Sequence, residues 1–298
     1  MPISHIFLAL LVAFVWGVNF LFVKIGLEEI SPLLLCTLRF TLASVPAIFF
    51  IKPPAIPFKL VVSYGLFMFA FQFALLFLGM HAGMTPGMAS LLIQVQVFFS
   101  MFFATVFLKE QPNPWQIIGA LVSFIGIGVV ALHFDNNISV LGFILILSSA
   151  ATWGLGNLIT KKATNINMMA LVVWGSFVAI VPMLALSLIF EGYDSIVTSY
   201  HHLSRRGAAA LLYIVYISTW VGYGVWNWLM SRYPVGMIVP FTLLVPVVGI
   251  LSSVLILGEP LQSWKLVAGL FVISGLCINI LSARFLAMRT PQNEPVLQ

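Results

Sequence analysis

The sequence predicts an all-α polytopic membrane protein, with ten transmembrane helices in two inverted five-helix repeats. Three observations predict it. Hydrophobic residues fill 61% of the 298 positions and charged residues only 7%, against about 25% charged in a soluble domain. Ten apolar runs follow one another, each near the roughly 20 residues a helix needs to cross a hydrocarbon core of about 30 Å. Two sequence blocks also recur. Trp16, Gly17 and Lys24 return as Trp153, Gly154 and Lys161, all 137 positions later. Glu110, Trp115 and Gly126 return as Glu259, Trp264 and Gly275, all 149 later. Five spans is an odd number, so the second copy enters the bilayer upside down. Inverted repeats of this kind surround a central site in secondary transporters.

The elements follow in chain order. Span 1 (5–24) lacks the basic lead and small-x-small cleavage site of a signal peptide. Span 2 (31–51) stops at Lys52-Pro53-Pro54, and span 3 (59–80) carries Gln72. Span 4 (84–108) opens on Pro86 and ends at the turn Lys109-Glu110-Gln111-Pro112-Asn113-Pro114. Gly119, Gly126 and Gly128 give span 5 (114–133) a surface for close helix packing. Asp135-Asn136-Asn137 divides the copies, and span 6 (139–160) and span 7 (168–190) follow. The twelve extra residues of the larger offset fit the polar stretch from Glu191 to Arg206, expected as a surface hairpin. Span 8 is 207–230, span 9 is 235–257 and span 10 is 264–284. Proline removes a helical hydrogen bond, so Pro240 and Pro246 predict a kink in span 9, centred near Pro246. The domains expected are a first repeat at 1–133, a second, inverted repeat at 139–285, and a disordered cytoplasmic tail at 286–298. No strand-like alternation of period two competes with the helices.

Basic residues set the orientation. With the amino terminus in the cytoplasm, eight Lys and Arg fall inside and four outside, with Arg39 within a span. Both termini are therefore expected in the cytoplasm. The same placement puts Glu110 and its repeat partner Glu259 on opposite sides, as inversion requires.

Polar groups at bilayer depth must face protein or a wet cavity. Trp16 and Asn19 share one face of span 1, and Trp153 and Asn157 share one face of span 6. Gln94 looks inward from span 4, with Gln96 turned about 200° away on a regular helix. Tyr223 and Asn227 align on span 8 with Trp220, and Gln72 joins them from span 3. Each amide has two readings, substrate contact or a bond to a neighbouring helix. Arg39 also has two: it holds a substrate carboxylate, or it braces helices. Lys24 and Lys161 flank their spans as interfacial anchors. No Asp or Glu lies well inside an expected span, which favours a facilitator or exchanger over carboxylate-coupled ion transport.

Trp16-Gly17-Val18-Asn19-Phe20 with Lys24, Leu38-Arg39-Phe40, and Leu257-Gly258-Glu259-Pro260 together resemble the EamA-type drug/metabolite transporters. The resemblance covers the chain to about residue 285. Gly83-Met84-Thr85-Pro86-Gly87, Gln94-Val95-Gln96, Gly222-Tyr223-Gly224 and Leu243-Leu244-Val245-Pro246 resemble its O-acetylserine/cysteine exporter branch. The resemblance implies export of small amino acids or related metabolites across a bacterial inner membrane, by alternating access of one five-span half against the other. Substrates differ among relatives, so an aromatic compound or a drug stays open as cargo.

Other classes find little support. No Gly-x-Ser-x-Gly, His-Glu-x-x-His or intramembrane aspartate pair offers a catalytic centre. A channel needs a selectivity ring. His201-His202 lacks a third metal ligand at suitable spacing, and no cofactor is expected. A net charge of +5 spread over loops excludes nucleic acid as a partner. Cys36 and Cys277 lie in apolar runs, which reads as two free thiols. The partners expected are a small-molecule substrate and the lipid bilayer, with a homodimer left open.

Overall fold

A chain in hydrocarbon must satisfy its backbone amides and carbonyls internally, and this one does so with helices throughout. The structure, a computed structural model, describes residues 1–133, 139–162, 166–233 and 235–289, with the side chains at 227, 231, 235, 236, 239 and 282–289 outside that description. Span 1 is Ile3–Gly26 and span 2 Pro32–Ile48. Span 3 is Phe58–His81, span 4 Pro86–Leu108 and span 5 Pro114–Ala131. Span 6 is Val140–Lys162. Span 7 begins at Met168 and continues to Glu191, and span 8 runs from Arg205 to Arg232. Span 9 comprises Val235–Ile238, Val239–Leu243 and Leu244–Leu257, and span 10 is Ser263–Arg289. Among the described residues there is no strand. Span 2, with 17 residues, is the short one. Phe7, Leu121, Leu255 and Leu270 are exposed on the outer surface, as a lipid-facing belt requires.

The fold is two inverted repeats whose helices interlock. Span 1 packs on spans 8 and 9 of the second repeat, and span 6 packs on spans 3 and 4 of the first. Spans 2 and 7 pair with each other, as do spans 5 and 10. The glycines show how closely the two copies correspond. A Cβ on Gly17 would lie 2.6 Å from the Val248 Cβ, and one on Gly154 would lie 2.8 Å from the Phe99 Cβ. Gly17 matches Gly154, and Phe99 matches Val248, so this is one contact made twice. Across spans 5 and 10, a Cβ on Gly119 would reach 2.5 Å from the Gly275 carbonyl oxygen, and one on Gly126 would reach 2.7 Å from that of Ala268. Gly128 has open space and takes no part, contrary to its expected place in the seam.

Helix irregularities repeat too. Span 3 widens into a π-helix over Gly65–Phe71, and span 8 over Tyr213–Val221. Span 4 tightens into a 3-10 turn at Ile93–Val95, and span 9 at Val239–Leu243. Pro240, one of the two prolines expected to kink span 9, lies in that turn. Pro246 is the third residue of the helix that resumes at Leu244, where a missing N–H costs nothing. Its ring crowds the carbonyl four residues back, which displaces the irregularity upstream.

The hairpin expected between Glu191 and Arg206 is instead a helix, Gly192–His202. Gly192 turns the chain at φ +79°, a conformation that favours glycine. Tyr193 and Tyr200 are exposed while Ile196 packs on the core, the pattern of an interfacial helix. Span 10 continues as helix to Arg289, past the expected start of the tail at 286. The rest of that tail, and Asp135-Asn136-Asn137, lie outside the described residues. Cys36 is buried, and both it and Cys277 are free thiols.

Candidate functional site

The interlocked spans enclose a cavity of about 1100 Å³. Trp16, Asn19, Arg39, Gln72, Gln94, Trp153, Asn157 and Tyr223 line it, so eight of the nine expected site residues converge. The ninth, Asn227, lies on span 8 with its side chain outside the described residues. The walls are mostly apolar, and Arg39 is the one charged side chain among the described lining residues.

Most of the polar lining is already partnered. Gln72 Nε2 donates to Ser149 Oγ at 3.4 Å, and that hydroxyl donates to the Gln72 carbonyl at 2.7 Å. Asn157 Nδ2 donates to Gln96 Oε1 at 2.7 Å and to Ser100 Oγ at 2.9 Å. Gln94 Nε2 donates to the Thr242 carbonyl at 3.0 Å. Pro246 has no amide hydrogen to aim at that carbonyl, so the span 9 irregularity presents an acceptor to span 4. The sequence allowed only one of Gln94 and Gln96 to face the cavity. Both line it, and the 3-10 turn at Ile93–Val95 makes the helix irregular there, with Gln94 bonded to span 9 and Gln96 to span 6.

Two groups differ. Arg39 is 2% exposed; its Nη2 donates to Thr219 Oγ1 at 3.2 Å, while Nε and Nη1 have no partner. Asn19 is 7% exposed and its Oδ1 has no partner. Thr219 Oγ1 itself donates to the Ile214 carbonyl at 3.0 Å, five residues back in the π-helix. The Phe73 ring lies 4.0 Å from the guanidinium carbon of Arg39.

Aromatic rings form one wall. Trp16 Nε1 donates to the Ser218 carbonyl at 3.1 Å, and its ring lies 5.4 Å from Tyr223 and 5.3 Å from Trp226. A Cβ at Gly222 would fall 2.4 Å from Trp16 Nε1, so glycine there makes room for the indole. Trp220, aligned with these by spacing, instead bonds the Ala43 carbonyl at 3.1 Å.

Sequence reasoning missed several lining residues. Asn279 in span 10 carried the same signal as the other amides, a polar group deep in an apolar run. Trp226 sits one turn from Tyr223. Met68, Met168, Met230 and Met237 carried no signal, because methionine is ordinary in any apolar helix.

The cavity extends to the end of the bundle where Thr160, Met168, Met230, Met237 and Ile280 lie. The other end is tied shut. Glu191 accepts from the Leu33 and Leu34 amides at 2.7 and 3.1 Å, and from the Ser31 and Ser187 hydroxyls at 2.8 and 2.7 Å. One carboxylate thereby joins the start of span 2 to the end of span 7. Glu29 accepts from the Ser204 amide at 2.7 Å and its hydroxyl at 2.6 Å, and Arg206 pairs with Glu28 at 3.4 Å. The Ser204 hydroxyl and amide hold the Glu29 carboxyl below its ordinary pKa. Lys265 and Glu259 form a buried pair at 2.8 Å, and Ser253 Oγ also donates to that carboxylate.

Comparison with known proteins shows the family and the duplication. The sequence profile of the EamA-like transporter family matches twice, at residues 3–132 and 140–281. A protein of Salmonella typhimurium named "Probable amino-acid metabolite efflux pump" is 39% identical over 285 residues, covering 93% of this chain and 95% of its own. Its Escherichia coli counterpart, with the same name, is 37% identical over 285 residues at the same coverage. A crystal structure at 16% identity matches with a TM-score of 0.65 over 98% of this chain and 99% of its own, which speaks for the fold alone.

Proposed function

Because the chain belongs to the EamA-like transporter family, we propose that it exports small amino-acid metabolites from the cytoplasm through the central cavity. The supporting observation is a mid-depth cavity with amide and aromatic lining that reaches one end of the bundle and is tied shut at the other. It is a non-enzymatic, multi-pass membrane protein. In this reading it resides in the bacterial inner membrane with both termini in the cytoplasm. The open end, near Lys161 and Arg232, then faces the cytoplasm and the structure is inward-open. Substrate contacts fall on Trp16, Asn19, Arg39, Gln72, Gln94, Trp153, Asn157, Tyr223 and Asn227.

Alternating access would move bodies drawn from both repeats. Span 1 packs on spans 8 and 9, span 6 on spans 3 and 4, and span 4 on span 9, so a sequence half is not a packing unit. The lining carboxylates needed for ion coupling are absent among the described residues, which suits a facilitator or an exchanger. A second reading, export of bulkier aromatic compounds or drugs, draws on the methionines and rings of the wall, an adaptable surface.

Counterflow in proteoliposomes tests the proposal. Vesicles preloaded with unlabelled cysteine or O-acetylserine should accumulate the labelled compound faster than empty-lipid controls. Accumulation no faster than those controls for a panel of amino acids and aromatic compounds refutes it. Asn19→Ala, Gln94→Ala and Asn157→Ala should each slow the flux.

A further inference from the structure

We propose that the cavity takes its substrate as an α-amino acid zwitterion, with the carboxylate on the unpartnered edges of Arg39 and the ammonium on Asn19 Oδ1. The inference rests on the exporter reading for its cargo and adds the chemistry by which the cargo is recognised.

The guanidinium is the starting point. It keeps its proton, offers five N–H donors and matches a planar carboxylate. A buried cation without an anion or full hydrogen bonding is strongly unfavourable. Arg39 is in that condition: one hydroxyl partner, two nitrogens with none, and no Asp or Glu among the described cavity residues. If it served only to brace helices, its donors would be met by carbonyls or side chains of those helices. Phe73 and Phe40, at 4.0 and 5.8 Å, fix the plane of the group without neutralising it. Nε and Nη1 are buried, and Arg39 is among the residues that line the cavity a ligand would fill.

Asn19 supplies the complementary function. Gln72, Gln94 and Asn157 are held by neighbouring helices, but the Asn19 oxygen is a buried acceptor with nothing to accept from. An ammonium is a donor in three directions. One hydrogen suits Asn19 Oδ1, and the Trp16 and Tyr223 ring faces suit the remaining charge. An unmet cation and an unmet acceptor in one cavity describe the two ends of a zwitterion.

Equilibrium binding to the full-length protein in detergent, read by tryptophan fluorescence, tests this without requiring transport. The probes are L-cysteine and L-leucine, each beside its methyl ester, its decarboxylated amine and its deaminated acid. The amino acids should bind about tenfold or more tighter than either their esters or their amines, since a lost charge-assisted bond costs at least that factor. Arg39→Gln should level acid and ester, Arg39→Lys should restore part of the difference, and Asn19→Ala should level amino acid and deaminated acid. Equal binding of acid and ester by the unsubstituted protein overturns the proposal, as does failure of both amino acids to bind. That ratio needs no variant, so misfolding of Arg39→Gln leaves the test intact. Acid-selective binding without flux would sink the exporter reading and keep this one. Flux with acid and ester equivalent would do the reverse.

Discussion

In the first repeat the corner Leu108-Lys109-Glu110 lies at the cavity's open end, and Glu110 pairs with Lys161 where both side chains are about half exposed, at 46% and 56%. The same corner in the second repeat, Leu257-Gly258-Glu259, lies at the closed end. There Glu259 pairs with Lys265 at 9% and 3% exposure. The backbones agree: Lys109 and Gly258 both adopt left-handed conformations, at φ 57° and 67°. Glu110 and Glu259 both donate their amides back to equivalent carbonyls, those of Ala104 and Ser253, at 3.3 Å. The partners do not. Glu110 reaches across to the other repeat, whereas Glu259 stays within its own. Apolar packing preserves the symmetry, and the polar groups break it, because one end is open and the other sealed.

Four experiments would break or sharpen that comparison. The larger effects are expected at the shared seams and at the buried ion pair. Gly126→Leu should destabilise by about 3 kcal/mol or more, an overpacking with backbone in its path, while Gly128→Leu is tolerated. Thermal unfolding in detergent measures both, and equal losses would dissolve the seam. Next come the two ion pairs. Lys265→Ala strands a buried carboxylate and should cost about 3–5 kcal/mol, against about 1 kcal/mol or less for Lys161→Ala. Equal melting temperatures for the two variants would contradict the open and closed ends.

Glu191→Gln is expected to do less, about 1–2 kcal/mol, by weakening charge-assisted bonds to Leu33 and Leu34. It should also raise thiol labelling of a cysteine placed at Gly87, near the closed end. Unchanged labelling would remove Glu191 from the closure. The smallest effect is at Glu29. Its folded-state pKa is depressed, so its contribution is present at neutral pH and lost as pH falls through and below about 4.3, the unperturbed value. Melting temperature against pH should fall slightly less steeply in Glu29→Gln, and identical slopes would show that the Ser204 contact contributes nothing.

Much of the site was legible because water-soluble groups are rare in this chain. Asn19, Arg39, Gln72, Gln94, Trp153, Asn157 and Tyr223 stood out against apolar runs, and depth alone brought them together. What spacing could not show was how each amide is partnered. Trp16 with Asn19 and Trp153 with Asn157 look like one motif twice. Yet Asn157 has a glutamine and a serine facing it from span 4, and Asn19 keeps a buried oxygen without a partner. The extent of the span 9 irregularity was hidden for a related reason. Proline fixes where a helix can begin, while the neighbouring spans decide where the irregularity falls.

By itself the sequence determined the solvent, the number of spans, the duplication and its inversion. These follow from hydrophobic length and from blocks repeated at fixed offsets, which are local properties of the chain. The tertiary structure alone decided that the repeats interlock, which end is shut, and that Arg39 and Asn19 are the polar groups left without partners. Those outcomes depend on hydrogen bonds between residues far apart in sequence, and a helix pattern carries no record of which neighbour will face it.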